Sequence, residues 1–176
     1  MLTLIDNISK QGRAYQQFVA YCQTVLKPKL IKDVSRYAPN RRRLWLLNEP
    51  YLGTRAKIEP AYNDPYLSSV LQWLYSGCNT ALISVHDRIS DARILHHRDA
   101  AFATASARLL NLGNSARFSY SQGRRNNSPQ NCTSYHLDCG DLIQFDCKHL
   151  HACTQAEPGR MGLVMWRLKS NYVNLL

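Results

Sequence analysis

The chain is short of acidic residues, of long apolar runs and of paired cysteines. Twelve Asp and Glu stand against 22 Lys and Arg in 176 residues, a formal charge of +10. That imbalance excludes an acidic surface and points to a polyanionic partner, while deciding nothing about fold. No run of about eighteen apolar residues occurs, so a spanning helix is not expected. The N-terminus lacks a basic-then-apolar pattern, so classical secretion is not expected either. No C-x-x-C is present, and the six cysteines (22, 78, 132, 139, 147, 153) fit reduced thiols better than a disulfide scaffold. Four of them fall in 132–153 as C-x6-C-x7-C-x5-C, which matches no compact zinc knuckle; buried cysteine on strands is the plainer account. There is no internal repeat or low-complexity tract. With 45% hydrophobic residues the chain has enough apolar surface for a core, and its length fits one domain.

What is present divides the chain in two. Over residues 1–38, Ile5, Ile8, Tyr15, Phe18, Val19, Cys22, Val25 and Leu26 recur at three- and four-residue intervals, predicting helix interrupted at Pro28 and Pro39. Arg41–Arg43 form a basic cluster beside Trp45. Asn63-Asp64-Pro65 supplies a cap and a first-turn proline for a second helix over Tyr66–Tyr75. After Gly77 the texture becomes that of short strands: Ala81–Val85, Ala92–His97, Ala105–Leu112, Arg117–Ser121, Thr133–Leu137, Leu142–Phe145 and Met161–Leu168. The polar, basic loop Gly123–Asn131 is a hairpin tip. Helices followed by regularly spaced strands predict an α+β fold with a sandwich or barrel of jelly-roll type. The expected organisation is one domain over 1–176, with 1–78 mainly helical support and 79–170 the β core.

Within the β half, ILHHRDAA places His97 and Asp99 two residues apart, on one face of a strand. His151 follows 52 residues later in CKHLHACTQ, with His149 as the alternative in the same H-x-H. Two histidines and one carboxylate make a facial triad that leaves positions open on ferrous iron. Arg160 opens the strand RMGLVMWRL, whose period of two puts Arg160, Gly162, Val164, Trp166 and Leu168 on one face. Turned inward, Arg160 wants a planar carboxylate, so a dicarboxylate cosubstrate would bridge iron and Arg160, with Gly162 leaving room. His96 and His136 read as surface residues or neighbours of the site, His86 as a solvent-facing strand end, and Asp141 as a turn residue.

The order H-x-D, strands, Gly140-Asp141-Leu142-Ile143, distal His and then Arg on the last strand resembles the iron(II)/2-oxoglutarate-dependent dioxygenases, over about residues 80–170. Within them the chain is most similar to the ten-eleven translocation and base-J-binding-protein hydroxylases, which oxidise the methyl group of 5-methylpyrimidines in DNA. The resemblance is carried by His97-Arg98-Asp99, by LHACTQAE at 150–157 and by GRMGLVMWRLKSN at 159–171. It implies a double-stranded β-helix (jelly-roll) core supported by N-terminal helices, with His97, Asp99 and His151 on Fe(II) and Arg160 on 2-oxoglutarate beside Gly162. Dioxygen would be the further cosubstrate and ascorbate a reductant. The expected product is 5-hydroxymethylcytosine or a more oxidised base, or 5-hydroxymethyluracil from thymine.

Three positions depart from that family. Phe102 stands where animal members carry a base-contacting Asn, Trp166 and Leu168 where they carry Tyr and His, and Gly162 where they carry a cosubstrate-binding Ser. These changes bear on the base rather than on the iron. Phe102 and Trp166 are candidates to stack on a flipped base, or core residues. Arg124 and Arg125, with Arg41–Arg43 and Lys148, are candidate phosphate contacts on DNA or, alternatively, RNA. LNLGNSARFSYS at 110–121 also resembles AlkB-like nucleic-acid demethylases, although these usually carry a second arginine six residues after the first, where Arg167 is seven on. The spacing from His151 to Arg160 is similar to that of prolyl hydroxylases. From another class, a non-catalytic basic nucleic-acid-binding module would hold zinc in its Cys/His cluster. The expected protein is a monomer with no membrane association, intracellular, and nuclear if its source has a nucleus.

Overall fold

A computed structural model describes residues 2–5, 12–32, 41–50, 61–86, 94–156 and 158–173, without the side chains of 31, 32, 41 and 42. The strands, in chain order, are β1 Thr3–Leu4, β2 Ile31–Lys32, β3 Arg41–Leu46, β4 Thr80–His86, β5 Ile94–His97, β6 Ala103–Leu112, β7 Ala116–Ser121, β8 Cys132–Leu137, β9 Leu142–Asp146, β10 His151–Ala156 and β11 Met161–Leu168. They form a seven-stranded sheet, order β1-β9-β6-β11-β4-β3-β2, and a four-stranded sheet, order β5-β10-β7-β8. Every pairing between named strands is antiparallel.

The sequence of β11 shows why it lies at the centre. Met161, Leu163 and Met165 join one buried cluster with the helices, while Trp166 and Leu168 join a second with residues of the smaller sheet. A strand covered on both faces is apolar on both. The outer face is covered by α1 (Arg13–Tyr21), through Tyr15 and Phe18, and by α3 (Pro65–Leu74), through Leu67, Leu71 and Leu74. Between them α1 runs on as a π-helical segment Cys22–Leu26 and a short α2, Lys27–Lys29. Asp64 caps α3, its side chain accepting the Leu67 N–H at 2.7 Å and the Tyr21 hydroxyl. The inner face meets the smaller sheet through Phe118, Tyr120 and Leu137, and the candidate site lies there.

Two elements differ from the sequence expectation. Arg41–Leu46 is a strand hydrogen-bonded to β4, so the first 78 residues extend the main sheet as well as covering it. Leu44 and Leu46 enter the helix-side core while Arg43 and Trp45 line the inner cavity, so the alternation is real but hidden by a polar residue facing inward. His151–Ala156 is a full strand at the centre of the smaller sheet. The parts of the predicted N-terminal helix at 6–11 and 33–38, and of the predicted strand at 92–93, lie outside the described residues.

Candidate active site

His97 ends β5 and pairs in register with His151 on β10, which sets the two imidazoles side by side with ring centroids 4.4 Å apart. Each Nδ1 sits on a carbonyl two residues back, Leu95 O at 2.7 Å and His149 O at 2.8 Å. A carbonyl accepts only, so both Nδ1 atoms carry the proton and each Nε2 presents a lone pair. Those Nε2 atoms lie 3.5 and 3.6 Å from Asp99 Oδ1. Asp99 is brought there by the turn after β5, its N–H donating to Cys147 O at 2.9 Å.

Three lone-pair-bearing atoms converging in this way repel one another unless a cation or shared protons sit between them. The same demand is visible in the titration of Asp99. Burial alone pushes its carboxyl up, yet hydrogen bonds from His151 and His97, and a further one from the Trp166 indole, hold it well below the usual carboxylate range. All three ligand atoms lie within 4.8 Å of one another. Two imidazole nitrogens and one carboxylate oxygen are the donor set of a non-haem ferrous site, and the residues present fit that ion. His97 is 42% exposed in its side chain against 6% for His151 and 9% for Asp99, so the cluster opens to solvent on the His97 side.

A cavity of about 400 Å³ runs from the triad across the inner face of the main sheet. Its floor follows from the register of four adjacent strands. One cross-strand row is Arg43, Ser84, Gly162 and Asn111; the next is Trp45, Leu82, Val164 and Leu109. The floor is therefore polar at one end and apolar in the middle. At the polar end lies Arg160, 2% exposed, donating from Nε to Asn111 Oδ1 at 2.7 Å and from Nη1 to His86 Nε2 at 3.1 Å. Both partners are neutral groups, and burial pulls the guanidinium below its ordinary value. A Cβ at Gly162 would meet Nη1 and Nη2 at 3.0 Å, so glycine leaves the guanidinium its place. Gly159 supplies the left-handed turn (φ +83°) that starts the strand, and its carbonyl lies 2.8 Å from where a Cβ on Gly113 would sit.

Other residues singled out in the sequence are placed as follows. His149 is turned away from the triad, its Nδ1 on Ser121 O at 2.8 Å and its Nε2 3.6 Å from Asp146. His96 meets Ser119 Oγ at 2.9 Å, and burial, then the neighbouring His97 and His151, lower its pKa. His136 pairs with Asp138 at the surface. Asp141 closes a turn by accepting the Asp138 N–H. His86 corrects the sequence reading: it is 1% exposed and lies against Arg160, because the last residue of β4 still faces the interior. Phe102 and Trp166 line the cavity together, edge to face at 5.7 Å, with Trp45 beside both.

Several cations bind the protein to itself. Arg124 pairs with Asp146 at 2.6 Å, and Lys148 donates to the carbonyls of Asp99 and Ala100. Arg98 donates to Arg124 O, Asn126 O and Asn127 Oδ1, tying the hairpin tip to the H-x-D turn. Arg125 is exposed, and Arg167 lies on the outer face, near Gly77. The side chains of Arg41 and Arg42 lie outside the described set, whereas Arg43 lines the cavity. Among the described residues no cysteine joins a metal-capable group. Cys147 has its thiol pushed up to about 12, first by burial and then by Asp99, and donates to Thr104 O. Sequence reasoning missed Ser84, Asn111 and His86 as the setting of Arg160, since only strand register joins them.

No family model matches the chain, and no curated protein matches it. Solved structures do. OsALKBH1 superposes with a TM-score of 0.66 at 14% identity, covering 94% of this chain and 97% of that one. An oxidoreductase of the 2OG-Fe(II) oxygenase family from Burkholderia pseudomallei superposes at 0.51 with 17% identity, covering 89% and 90%. At such identities the likeness is one of fold: mostly antiparallel sheets in the arrangement of the 2OG-Fe(II) oxygenase jelly roll.

Proposed function

We propose that the chain is an Fe(II)/2-oxoglutarate-dependent oxygenase that oxidises a methyl group on a nucleic-acid base. One observation carries the reading. A His/Asp/His cluster and a buried guanidinium whose hydrogen-bond partners, Asn111 and His86, bear no negative charge share a single cavity. An uncompensated buried cation is costly unless an anion arrives to pair with it. A dicarboxylate with one end on the metal and the other on Arg160 meets that need.

In this reading His97, Asp99 and His151 hold iron through Nε2, one carboxylate oxygen and Nε2. Bound iron and 2-oxoglutarate supply activation of dioxygen and oxidation of a C–H bond, with release of succinate and carbon dioxide. The chain does the rest. Arg160 fixes the far carboxylate in a bidentate fork, and Gly162 keeps the space that fork occupies. Leu82, Val164, Leu109 and Trp45 line the middle of the cavity and keep water from it. The backbone carbonyls of Leu95 and His149 lock the histidine tautomers. Phe102, with Trp45 and the face of Trp166, offers aromatic surface for a base taken out of its stack. Arg125 and Arg124 on the hairpin tip, in a chain of net charge +10, supply contacts for the phosphate backbone.

Two base chemistries suit this site. Likeness in fold to OsALKBH1 favours oxidation of an N-linked methyl, which collapses with release of formaldehyde. The His97-Arg98-Asp99 and 150–157 segments favour the C5-methyl of a pyrimidine, which retains its hydroxymethyl group. Succinate formation is measured with Fe(II), 2-oxoglutarate and DNA or RNA oligonucleotides carrying either kind of methyl group. Oligonucleotide-stimulated succinate with formaldehyde supports the N-methyl reading. Stimulated succinate with an oxygen gained by the base and no formaldehyde supports the C5-methyl reading. Absence of succinate from folded, iron-loaded protein refutes the oxygenase.

A further inference from the structure

We propose that Trp166 is a positioning residue for Asp99: its indole N–H holds one carboxylate oxygen so that the other alone faces the histidines. The inference rests on the reading of His97, Asp99 and His151 as metal ligands. Trp166 Nε1 donates to Asp99 Oδ2 at 2.6 Å, across 67 residues of sequence, while Oδ1 is the atom lying 3.5 and 3.6 Å from the two Nε2 atoms. The two oxygens of one carboxylate therefore have different tasks.

The chemistry of the donor matters. An indole offers one N–H and no acceptor, so it makes one bond and cannot turn to make another. A hydrogen bond to an ionised acceptor is short and roughly twice as strong as a neutral one. Left free, a carboxylate turns about its last torsion and can offer a metal both oxygens, filling a position that a cosubstrate needs. With Oδ2 committed, Asp99 offers Oδ1 alone. Because the indole is neutral, no cation competes with the metal for the carboxylate charge.

The holder is itself rigid. Trp166 lies on the central strand, paired with Thr80 on one side and Ala107 on the other. Its ring is 5% exposed, against Trp45 at 5.8 Å and Phe102 at 5.7 Å. The Asp99 main chain is tied at both ends, its N–H to Cys147 O and its C=O to Lys148 Nζ, leaving the side-chain torsion as the freedom the indole removes. Period two also puts Trp166 on the face of β11 that Arg160 occupies, so one strand carries the group that fixes a metal ligand and the group that fixes the cosubstrate. The edge of Trp166 is then engaged, and only its face is open to a substrate.

Two measurements test this, one without metal. The chain has three tryptophans, so ¹⁵N-labelled metal-free protein gives three indole N–H signals; the one lost in Trp166→Phe is that of Trp166. It should lie downfield and exchange slowly with solvent, and Asp99→Ala should abolish both properties. A Trp166 indole that exchanges as fast as that of Trp73, which is 51% exposed, refutes the hydrogen bond. Second, Co(II) and Mn(II) dissociation constants are measured for wild type and Trp166→Phe, which keeps a buried ring and loses the donor. A rise of roughly 10- to 100-fold is expected. Metal binding by the variant equal to wild type overturns the positioning role. Wild type that binds neither ion overturns the metal-site reading, and the role that rests on it, while the indole signals still report the hydrogen bond. If Trp166→Phe does not fold, wild type and Asp99→Ala decide: the slowest-exchanging downfield indole either responds to the loss of Asp99 or refutes the contact.

Discussion

Replacing Arg160 by methionine separates cosubstrate binding from folding, because the residue is expensive to bury and is held by neutral partners. Methionine keeps an unbranched side chain in the same space without the charge. The lost contact is a bidentate pair with a carboxylate, and hydrogen bonds to charged groups are worth about 1.5–3 kcal/mol each. Two of them amount to about 3–6 kcal/mol, or a roughly 10²- to 10⁴-fold weaker affinity for 2-oxoglutarate. Stability should move far less. Asn111 keeps the carbonyls of Asn114, Leu137 and Asp138 as acceptors for Nδ2, so only its Oδ1 and His86 Nε2 lose a donor. Against that loss, a desolvated cation is removed, and an unpaired buried charge is a liability to the fold. We expect a change within about 1.5 kcal/mol of either sign. Calorimetric titration of 2-oxoglutarate into the Co(II)-loaded protein measures the first quantity, and urea denaturation of the unliganded protein the second. An unchanged 2-oxoglutarate affinity refutes Arg160 as the anchor. A stability loss above about 3 kcal/mol, the range for breaking a buried ionic contact, shows that the guanidinium serves the fold instead.

Other predictions are narrower. Gly162→Ala sets a methyl 3.0 Å from the guanidinium nitrogens, so Arg160 must give by a few tenths of an ångström; a several-fold rise in the KM for 2-oxoglutarate with little change in Tm is expected, and an unchanged KM would disconnect Gly162 from the cosubstrate. Asp64→Ala removes the cap of α3 and should cost about 1–2 kcal/mol near neutral pH by thermal denaturation. Burial pushes the Asp64 carboxyl up, but bonds from Tyr21 and the Leu67 N–H outweigh this and lower it below its unfolded value. The contribution is therefore full above pH of about 4 and fades as pH falls through the lower folded value, so wild type and variant should converge in acid. Charge reversal of Arg124 and Arg125 should weaken binding to a DNA duplex and flatten its salt dependence, by roughly 0.9 in the log–log slope per lost phosphate contact. For Arg124 part of the effect is local, since Glu there would face Asp146. Unchanged binding removes the hairpin tip from the interface.

Much of the site was legible in the sequence because strand period two acts locally. His97 and Asp99 two residues apart, and Arg160, Gly162, Val164 and Trp166 on one face of a strand, need only a backbone that alternates. The Asn63-Asp64-Pro65 cap and the apolar faces of α1 and α3 were readable for the same reason: capping and amphipathic periodicity are short-range. The strand Arg41–Leu46 was not legible, since an inward-facing Arg43 breaks the pattern that marks a strand, and only a cavity beneath it makes that placement tolerable. His86 was misread because its burial depends on Arg160, 74 residues away. The sequence by itself determined the residue types, their order and which side chains share a face of each strand. Tertiary structure alone decided that His151 and not His149 meets His97, that His86 and Asn111 hold Arg160, and that the Trp166 indole holds Asp99. Those are contacts between strands, set by which strands pair and in what register, and register is a property of the assembled sheets rather than of any one segment.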